Sequence, residues 1–219
     1  MISLPNVAII ELGSQYTLVI ERTLRELGVR SVILDPKRAK TWLKNNSLKA
    51  VIFSGGAASV YDNDAPQPPV EVFSLTRQDG QPVAILGICY GMQWLAQHLG
   101  GHVKEMPHNR EYGKAHIICD FHHNFFADTP IHQEVWMSHG DSVTSLPEGF
   151  SILAHSDTNT VAAIARDSIF GVQFHPEVTH TPYGKTMLKN FLQFAGCQSD
   201  WQPTSIVASI QEDVAKKTW

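Results

Sequence analysis

The feature that most constrains this 219-residue chain is a series of short, unbroken apolar runs separated by stretches of helical periodicity. The runs are Asn6–Glu11, Ser31–Leu34, Ala50–Phe53, Pro82–Leu86 and, far along the chain, Ser168–Phe174. A strand without polar alternation is one buried on both faces, which is the situation of a parallel sheet covered by helices. The intervals agree. Gln15–Leu27 spaces Leu18, Val19, Arg22, Leu24 and Leu27 roughly as a helix would, and Gly28 ends it. Asp35-Pro36 opens a short helix near Lys37–Asn45, Ala57–Pro69 is a proline-rich loop, and Val70–Gln78 reads as a further helix. Repeated βαβ units predict an α/β fold with an open, mostly parallel sheet flanked by helices.

From Gly101 the pattern changes to short, irregular segments, read as a small antiparallel β element. Tyr183–Phe194 is amphipathic, with Met187, Leu188, Phe191 and Leu192 on one side. Pro203–Lys217 predicts a last helix with Ile206, Val207, Ile210 and Val214 on one stripe.

Composition narrows the function classes. Hydrophobic residues make up 43% of the chain, enough for a sizeable core. A net charge of -4 without basic runs argues against a nucleic-acid platform. No apolar run approaches the roughly 20 residues of a membrane span, and Met1–Ile10 lacks the features of a signal peptide. Three scattered cysteines, Cys89, Cys119 and Cys197, make no disulfide framework, so a reducing cytoplasm is expected.

One of the three carries chemistry. Pro82–Leu86 leads into Gly87-Ile88-Cys89-Tyr90-Gly91 and then into the helical Met92–Leu99. A nucleophile at the apex of a strand–turn–helix, with glycine two residues to either side, has the layout of a nucleophile elbow. The glycines let the strained turn close against its neighbours. The N-terminus of a helix favours a thiolate, and the N–H of Tyr90 would point at the oxygen of a carbonyl under attack. A second donor is expected from Gly55-Gly56, at the end of another strand.

Such a cysteine needs a base, and the base an orienting group. Among eleven histidines, His175 stands at the end of a buried strand, followed by Pro176 and Glu177. Residues i and i+2 of an extended segment face one side, so His175 and Glu177 can touch. Cys89 and His175 both fall at the C-terminal edge of the sheet, where open α/β folds place their sites.

With these residues in hand, the chain resembles the class I glutamine amidotransferases, and within them the N-terminal glutaminase domains of GMP synthetases. Four stretches carry the likeness: Gly13–Thr17 (GSQYT), Gly87–Gln93 (GICYGMQ), Trp136–Asp141 (WMSHGD) and Gly171–Thr181 (GVQFHPEVTHT). The resemblance covers essentially the whole chain. It implies that Cys89 is the nucleophile, His175 the general base and acid, and Glu177 its orienter. It implies oxyanion-hole N–H groups at Gly56 and Tyr90, and a grip on the amino-acid end of glutamine by Gln93, Ser138, His139 and Asp141. Residues 1–198 would be the glutaminase domain. Residues 199–219 would form a linker helix toward an absent ATP-pyrophosphatase (synthetase) domain, supplied in cis or in trans.

The implied activity is hydrolysis of glutamine to glutamate and ammonia, for amination of XMP to GMP. No cofactor and no metal is expected in this chain, since ATP and magnesium would belong to the synthetase domain. The partners implied are glutamine and that domain, with oligomerisation left open. The linker-like tail suggests a piece of a longer protein.

There are departures. Glu11-Leu12 stands where the family has Asp-Phe, and Ala57 where proline follows the two glycines, which loosens the oxyanion loop. Ser54–Ser59 superficially matches an ATP-pyrophosphatase loop, but Ala58 replaces its aspartate, so ATP binding is not expected. His116, Cys119, His122 and His123 crowd together without a zinc spacing and read as a solvated hairpin. His180 either lines the site or meets the synthetase domain. The rival readings are another amidotransferase of the class, an elbow-cysteine hydrolase of flavodoxin-like fold, and a silent regulatory domain.

Overall fold

The computed structural model describes residues 5–106, 110–120 and 122–199. In chain order the elements are β1 (Val7–Ile10), α1 (Thr17–Glu26), β2 (Ser31–Leu34), α2 (Pro36–Asn45), β3 (Ala50–Phe53), β4 (Ala84–Ile88) and α3 (Tyr90–His98). There follow β5 (His102–Glu105), β6 (Glu111–Cys119), β7 (His132–His139), β8 (Asp141–Ser145), β9 (Ser151–Ser156), β10 (Val161–Arg166), β11 (Ile169–Val172) and α4 (Gly184–Phe194).

One sheet of nine strands runs in the order β2-β1-β3-β4-β11-β10-β9-β6-β7, and β5 and β8 form a separate antiparallel pair. The strands from β2 to β11 are mutually parallel. Those read as unbroken apolar runs in the middle of this core, β1, β3, β4 and β11, are buried at every position. Their two-residue period divides them between two cores. Val7, Ile9, Ala50, Ile52, Leu86 and Ile88 face α1 and α4, meeting Leu24, Met187 and Phe191. Ala8, Ile10, Val51, Phe53 and Ile85 face α2 and α3, meeting Leu43, Met92 and Leu95. β2, at the edge, is only partly buried over its first three residues.

Asp35 caps α2 as the sequence predicts: its carboxylate accepts from the N–H groups of Lys37 (3.0 Å) and Arg38 (2.9 Å), with Pro36 in the first turn. The helix expected over 70–78 is shorter. Only a single 3₁₀ turn, Val70–Ser74, forms. Beyond it the chain pairs with itself around Asp79-Gly80, with Arg77 N–H donating to Gln81 O and Val83 N–H to Leu75 O. Prolines 68 and 69 and β-branched Val70 and Val72 disfavour a longer helix, and Gly80 (φ 80°) supplies the turn. The strand read as ending at Leu86 continues to Ile88, because Gly87 and Ile88 pair with Gly171 and Val172.

The antiparallel region is larger and more regular than the sequence suggests. β6 and β7 pair from Glu111↔His139 to Ile118↔His132, extending the main sheet. No helix among the described residues is long and apolar enough to cross a membrane. The helix expected over 203–217 lies outside the described residues. Of the expected linker, Ser199 is described, and its hydroxyl donates to Leu27 O at the end of α1 (2.6 Å).

Candidate active site

Cys89 sits between β4 and α3 with φ 51° and ψ -108°, a conformation side chains rarely adopt. Its N–H is held by Val172 O at 2.7 Å, so β11 pins the apex of the turn. The two flanking glycines are required by contact. A Cβ on Gly87 would lie 2.6 Å from the backbone of Gly91, and one on Gly91 would lie 2.6 Å from Phe53 O. The turn therefore places the buried sulfur at the cavity and beside the first turn of α3, whose leading N–H groups have no intrahelical acceptor. This is the elbow expected from the sequence.

His175 follows β11 and is fixed through its backbone. Its N–H donates to Trp136 O (2.9 Å), and its carbonyl accepts from the Thr181 hydroxyl (2.7 Å), which in turn accepts from Trp136 N–H (3.0 Å). On the ring, Nδ1 lies 2.8 Å from Glu177 Oε1, with side-chain exposures of 5% and 0%. Tyr16 meets the ring edge-on at 5.1 Å. Burial alone would depress the imidazole pKa. Hydrogen bonds with Cys89 and Glu177, and the charges of both, outweigh it and raise it to about 10. Behind this segment α4 begins at Gly184, where a Cβ would lie 1.9 Å from Pro176 O. Thr181 and Gly184 thus hold the His175-Pro176-Glu177 turn, a role that one-dimensional reading did not reveal.

Cys89 and His175 open into a cavity of about 520 Å³. One wall is the Gly13–Tyr16 loop, organised by Glu11: its Oε1 accepts from the N–H groups of Gly13 (2.8 Å) and Ser14 (3.1 Å) and from the Thr17 hydroxyl (3.2 Å). A second wall is Gly56–Ser59. Gly55 lies close to both Cys89 and His175, since a Cβ there would be 3.0 Å from His175 Cε1 and 3.6 Å from Cys89 Cβ. At Gly56 a Cβ would meet Leu12 O at 2.3 Å and the Tyr90 ring at 3.5 Å; of the two expected oxyanion donors, Gly56 lines the cavity and Tyr90 opens α3 directly after Cys89. The loop after Gly56 is anchored despite Ala57. The Tyr90 hydroxyl donates to Pro66 O (2.7 Å), and burial pushes that phenol up to about 12.

The third wall carries the residues expected to hold the amino-acid end of a substrate. Gln93, Ser138, His139 and Asp141 all line the cavity. Asp141 Oδ2 accepts from the Ser59 hydroxyl at 2.6 Å, which ties the Gly56–Ser59 loop to this wall. Gln93 Nε2 donates to Asp141 O (2.8 Å) and to Gln173 Oε1 (3.1 Å). Ser138 contributes its carbonyl, 3.6 Å from the Cys89 sulfur. The His139 ring is buried, with both nitrogens engaged, so it acts on this wall from behind. Gln173, whose Nε2 donates to Cys89 Sγ at 3.6 Å, is a neighbour of the sulfur that the sequence reading passed over.

The other histidines lie apart. His180 is exposed and lies against Trp136, with ring centroids 4.5 Å apart and planes tilted by 36°, outside the cavity lining. His116 is exposed beside Asp157 (3.5 Å), while the Cys119 thiol is buried against Gln133 Nε2 (3.1 Å) and pushed up to about 11 by burial. No group of three or more histidine, cysteine or acidic side chains among the described residues is arranged to hold a metal ion.

Comparison with known proteins shows the family and the fold. The family model for glutamine amidotransferase class-I matches residues 8–194. The chain is 44% identical over 216 residues to the glutamine-hydrolyzing GMP synthase of Thermomicrobium roseum, covering 98% of this chain and 40% of that protein. It is 42% identical to that of Chlorobaculum tepidum, covering 98% and 42%. It therefore spans about two-fifths of the length of these relatives. Among solved structures, a protein from Thermoplasma acidophilum described as one subunit of a GMP synthase superposes with a TM-score of 0.76 at 29% identity, covering 96% of this chain and 98% of that one. A glutamine amidotransferase from Thermotoga maritima, at 21% identity and a TM-score of 0.69, covers 87% of this chain and 97% of that one and shares the fold. This chain belongs to the glutamine amidotransferase class-I family.

Proposed function

We propose that this chain hydrolyses glutamine to glutamate and ammonia through Cys89, His175 and Glu177, and that the ammonia serves the amination of XMP to GMP. The observation that carries the first part is the elbow cysteine facing a histidine whose far nitrogen rests on a buried carboxylate.

His175 takes the proton of the Cys89 thiol, and the sulfur attacks the side-chain carboxamide carbon of glutamine. Negative charge collects on the carbonyl oxygen, where the N–H groups of Gly56 and Tyr90 receive it. His175 gives a proton to the nitrogen, the C–N bond breaks and ammonia leaves. A γ-glutamyl thioester remains. Water attacks it, His175 takes the proton, and the C–S bond breaks to release glutamate. Gln93, Ser138 and Asp141 hold the amino-acid end, with His139 supporting them.

The second part rests on the names of the relatives, and on a chain two-fifths of their length. On this reading residues 1–198 form the glutaminase unit and 199–219 lead to a synthetase domain, which takes ATP, magnesium and XMP. A reducing cytoplasm suits a free cysteine nucleophile.

The test is ammonia release from amide-labelled glutamine, with and without a synthetase domain, ATP, magnesium and XMP. Cys89→Ala and His175→Asn should each abolish release. Full activity in either variant sinks the triad. Release that is indifferent to every synthetase component removes the GMP assignment.

A further inference from the structure

A line of hydrogen bonds runs from the exposed Thr158, in the turn before β10, through the buried Glu111–His139 pair to the substrate wall. The Thr158 hydroxyl donates to Glu111 Oε1 at 2.8 Å. Glu111 Oε2 lies 3.0 Å from His139 Nε2, and the opposite ring nitrogen, Nδ1, lies 3.0 Å from Asp141 O. That same carbonyl accepts from Gln93 Nε2. With hydrogen on Nδ1 as well as Nε2, the Asp141 carbonyl receives two donors, one from a glutamine on α3 and one from a histidine that a carboxylate holds in place.

Glu111 and His139 are directly opposed in the β6–β7 register, and their side chains are 7% and 2% exposed. A carboxylate in such a place is costly unless satisfied. Burial pushes its pKa up, but hydrogen bonds with His139, Ser156 and Thr158 outweigh this and hold it below the usual carboxylate range. The direction of the wall is the consequence that matters. Residues 138–141 all line the cavity, and the one ring among them, that of His139, is held by Glu111 through Nε2.

We propose that Glu111 is a positioning residue of the substrate site: acting through His139, it sets the Asp141 peptide and so the wall that grips the amino-acid end of glutamine. The inference rests on the glutaminase reading above. Glu111 touches neither substrate nor Cys89. The backbone supports of Cys89, the start of α3 and Val172 O, do not pass through it, while Ser138 O and Gln173 Nε2, which reach the sulfur, are separated from Glu111 by His139 or by the Asp141 carbonyl and Gln93. Its loss should therefore weaken glutamine binding while leaving the intrinsic reactivity of the sulfur alone.

The test is alkylation of Cys89 by iodoacetamide in the whole chain, followed by intact mass, with increasing glutamine as protectant. For Glu111→Gln, the glutamine concentration giving half-protection should rise about tenfold, the effect of one lost charge-assisted hydrogen bond. The rate without glutamine should stay within about twofold of the parent, a difference worth little free energy. Thr158→Val removes one of the donors to Glu111, together with the contacts of that hydroxyl to Ser156 and Thr160. It should shift half-protection the same way by about threefold, and it carries the test alone if Glu111→Gln does not fold. Half-protection unchanged in the folded variants, even with a lower melting temperature, makes the pair a cross-strand stabiliser only and overturns the proposal. A fall in the unprotected rate that matches the loss of protection also overturns it, by placing Glu111 behind the nucleophile. If glutamine fails to protect the parent chain, the glutaminase reading itself falls, and the proposal with it.

Discussion

His175 Nδ1 lies 2.8 Å from Glu177 Oε1, two residues along the same extended segment, and both side chains are buried. The separation is set by local geometry, because an extended chain returns every second side chain to one face. Removing the charge while keeping the shape should therefore isolate the carboxylate's role. Glu177→Gln should lower glutamine hydrolysis by about 10²- to 10⁴-fold, as loss of the orienting group does in comparable triads. The melting temperature should change far less than the turnover of ammonia does.

The same pair fixes a pH dependence of stability. The folded-state pKa of His175 is raised above its ordinary value, to about 10, so folding takes up a proton. Its contribution is complete below an unfolded pKa of about 6.5 and is lost as pH rises through about 10. The difference in melting temperature between the parent and His175→Asn should be largest near pH 6 and shrink steadily toward pH 10. A difference that grows with pH would reverse the sign of the effect and contradict it.

Gly87 and Gly91 are a matched pair, since a Cβ on Gly87 would meet the backbone of Gly91 at 2.6 Å. Backbone cannot give way as a flexible side chain can. Gly87→Ala should cost more than about 2 kcal/mol in urea unfolding, or prevent folding. Gly100, at φ 98° with nothing within 4 Å of an added methyl, offers the contrast. Gly100→Ala should cost only about 1 kcal/mol of backbone strain and leave the site intact.

Thr181 joins two stretches of backbone at His175. Thr181→Val keeps the volume but orphans His175 O and Trp136 N–H. Unfolding free energy should fall by about 1–3 kcal/mol. Hydrolysis should fall further than the loss of folded protein explains, because the imidazole of His175 is attached to the freed carbonyl.

The legible parts of this molecule are those whose physics is local. Val7–Ile10, Ala50–Phe53 and Ala84–Ile88 carry no polar residue inside the sheet, and such runs can be little else than strands buried on both faces. The elbow reads out because strand, cysteine, glycines and helix are contiguous, and His175 and Glu177 because two residues separate them. Distant pairings do not read out. Glu111 meets His139 across 28 positions, and Ser59 meets Asp141 across 82. Gly184 looks like an ordinary helix start until Pro176 is packed against it. The long β6–β7 ladder was hidden by a strand whose outward positions carry Tyr112, Lys114, His116 and Ile118 without a simple polar period.

The most direct test of the central claim is labelling by an electrophilic glutamine analogue, a diazoketone, read by intact mass and by the modified peptide. One adduct on Cys89, suppressed by excess glutamine, is the predicted result. It would place a glutamine-shaped site around that sulfur without requiring turnover. Failure to label Cys89, both in the chain alone and with a synthetase domain and its nucleotides present, would contradict the account. So would an adduct on Cys89 that glutamine cannot suppress.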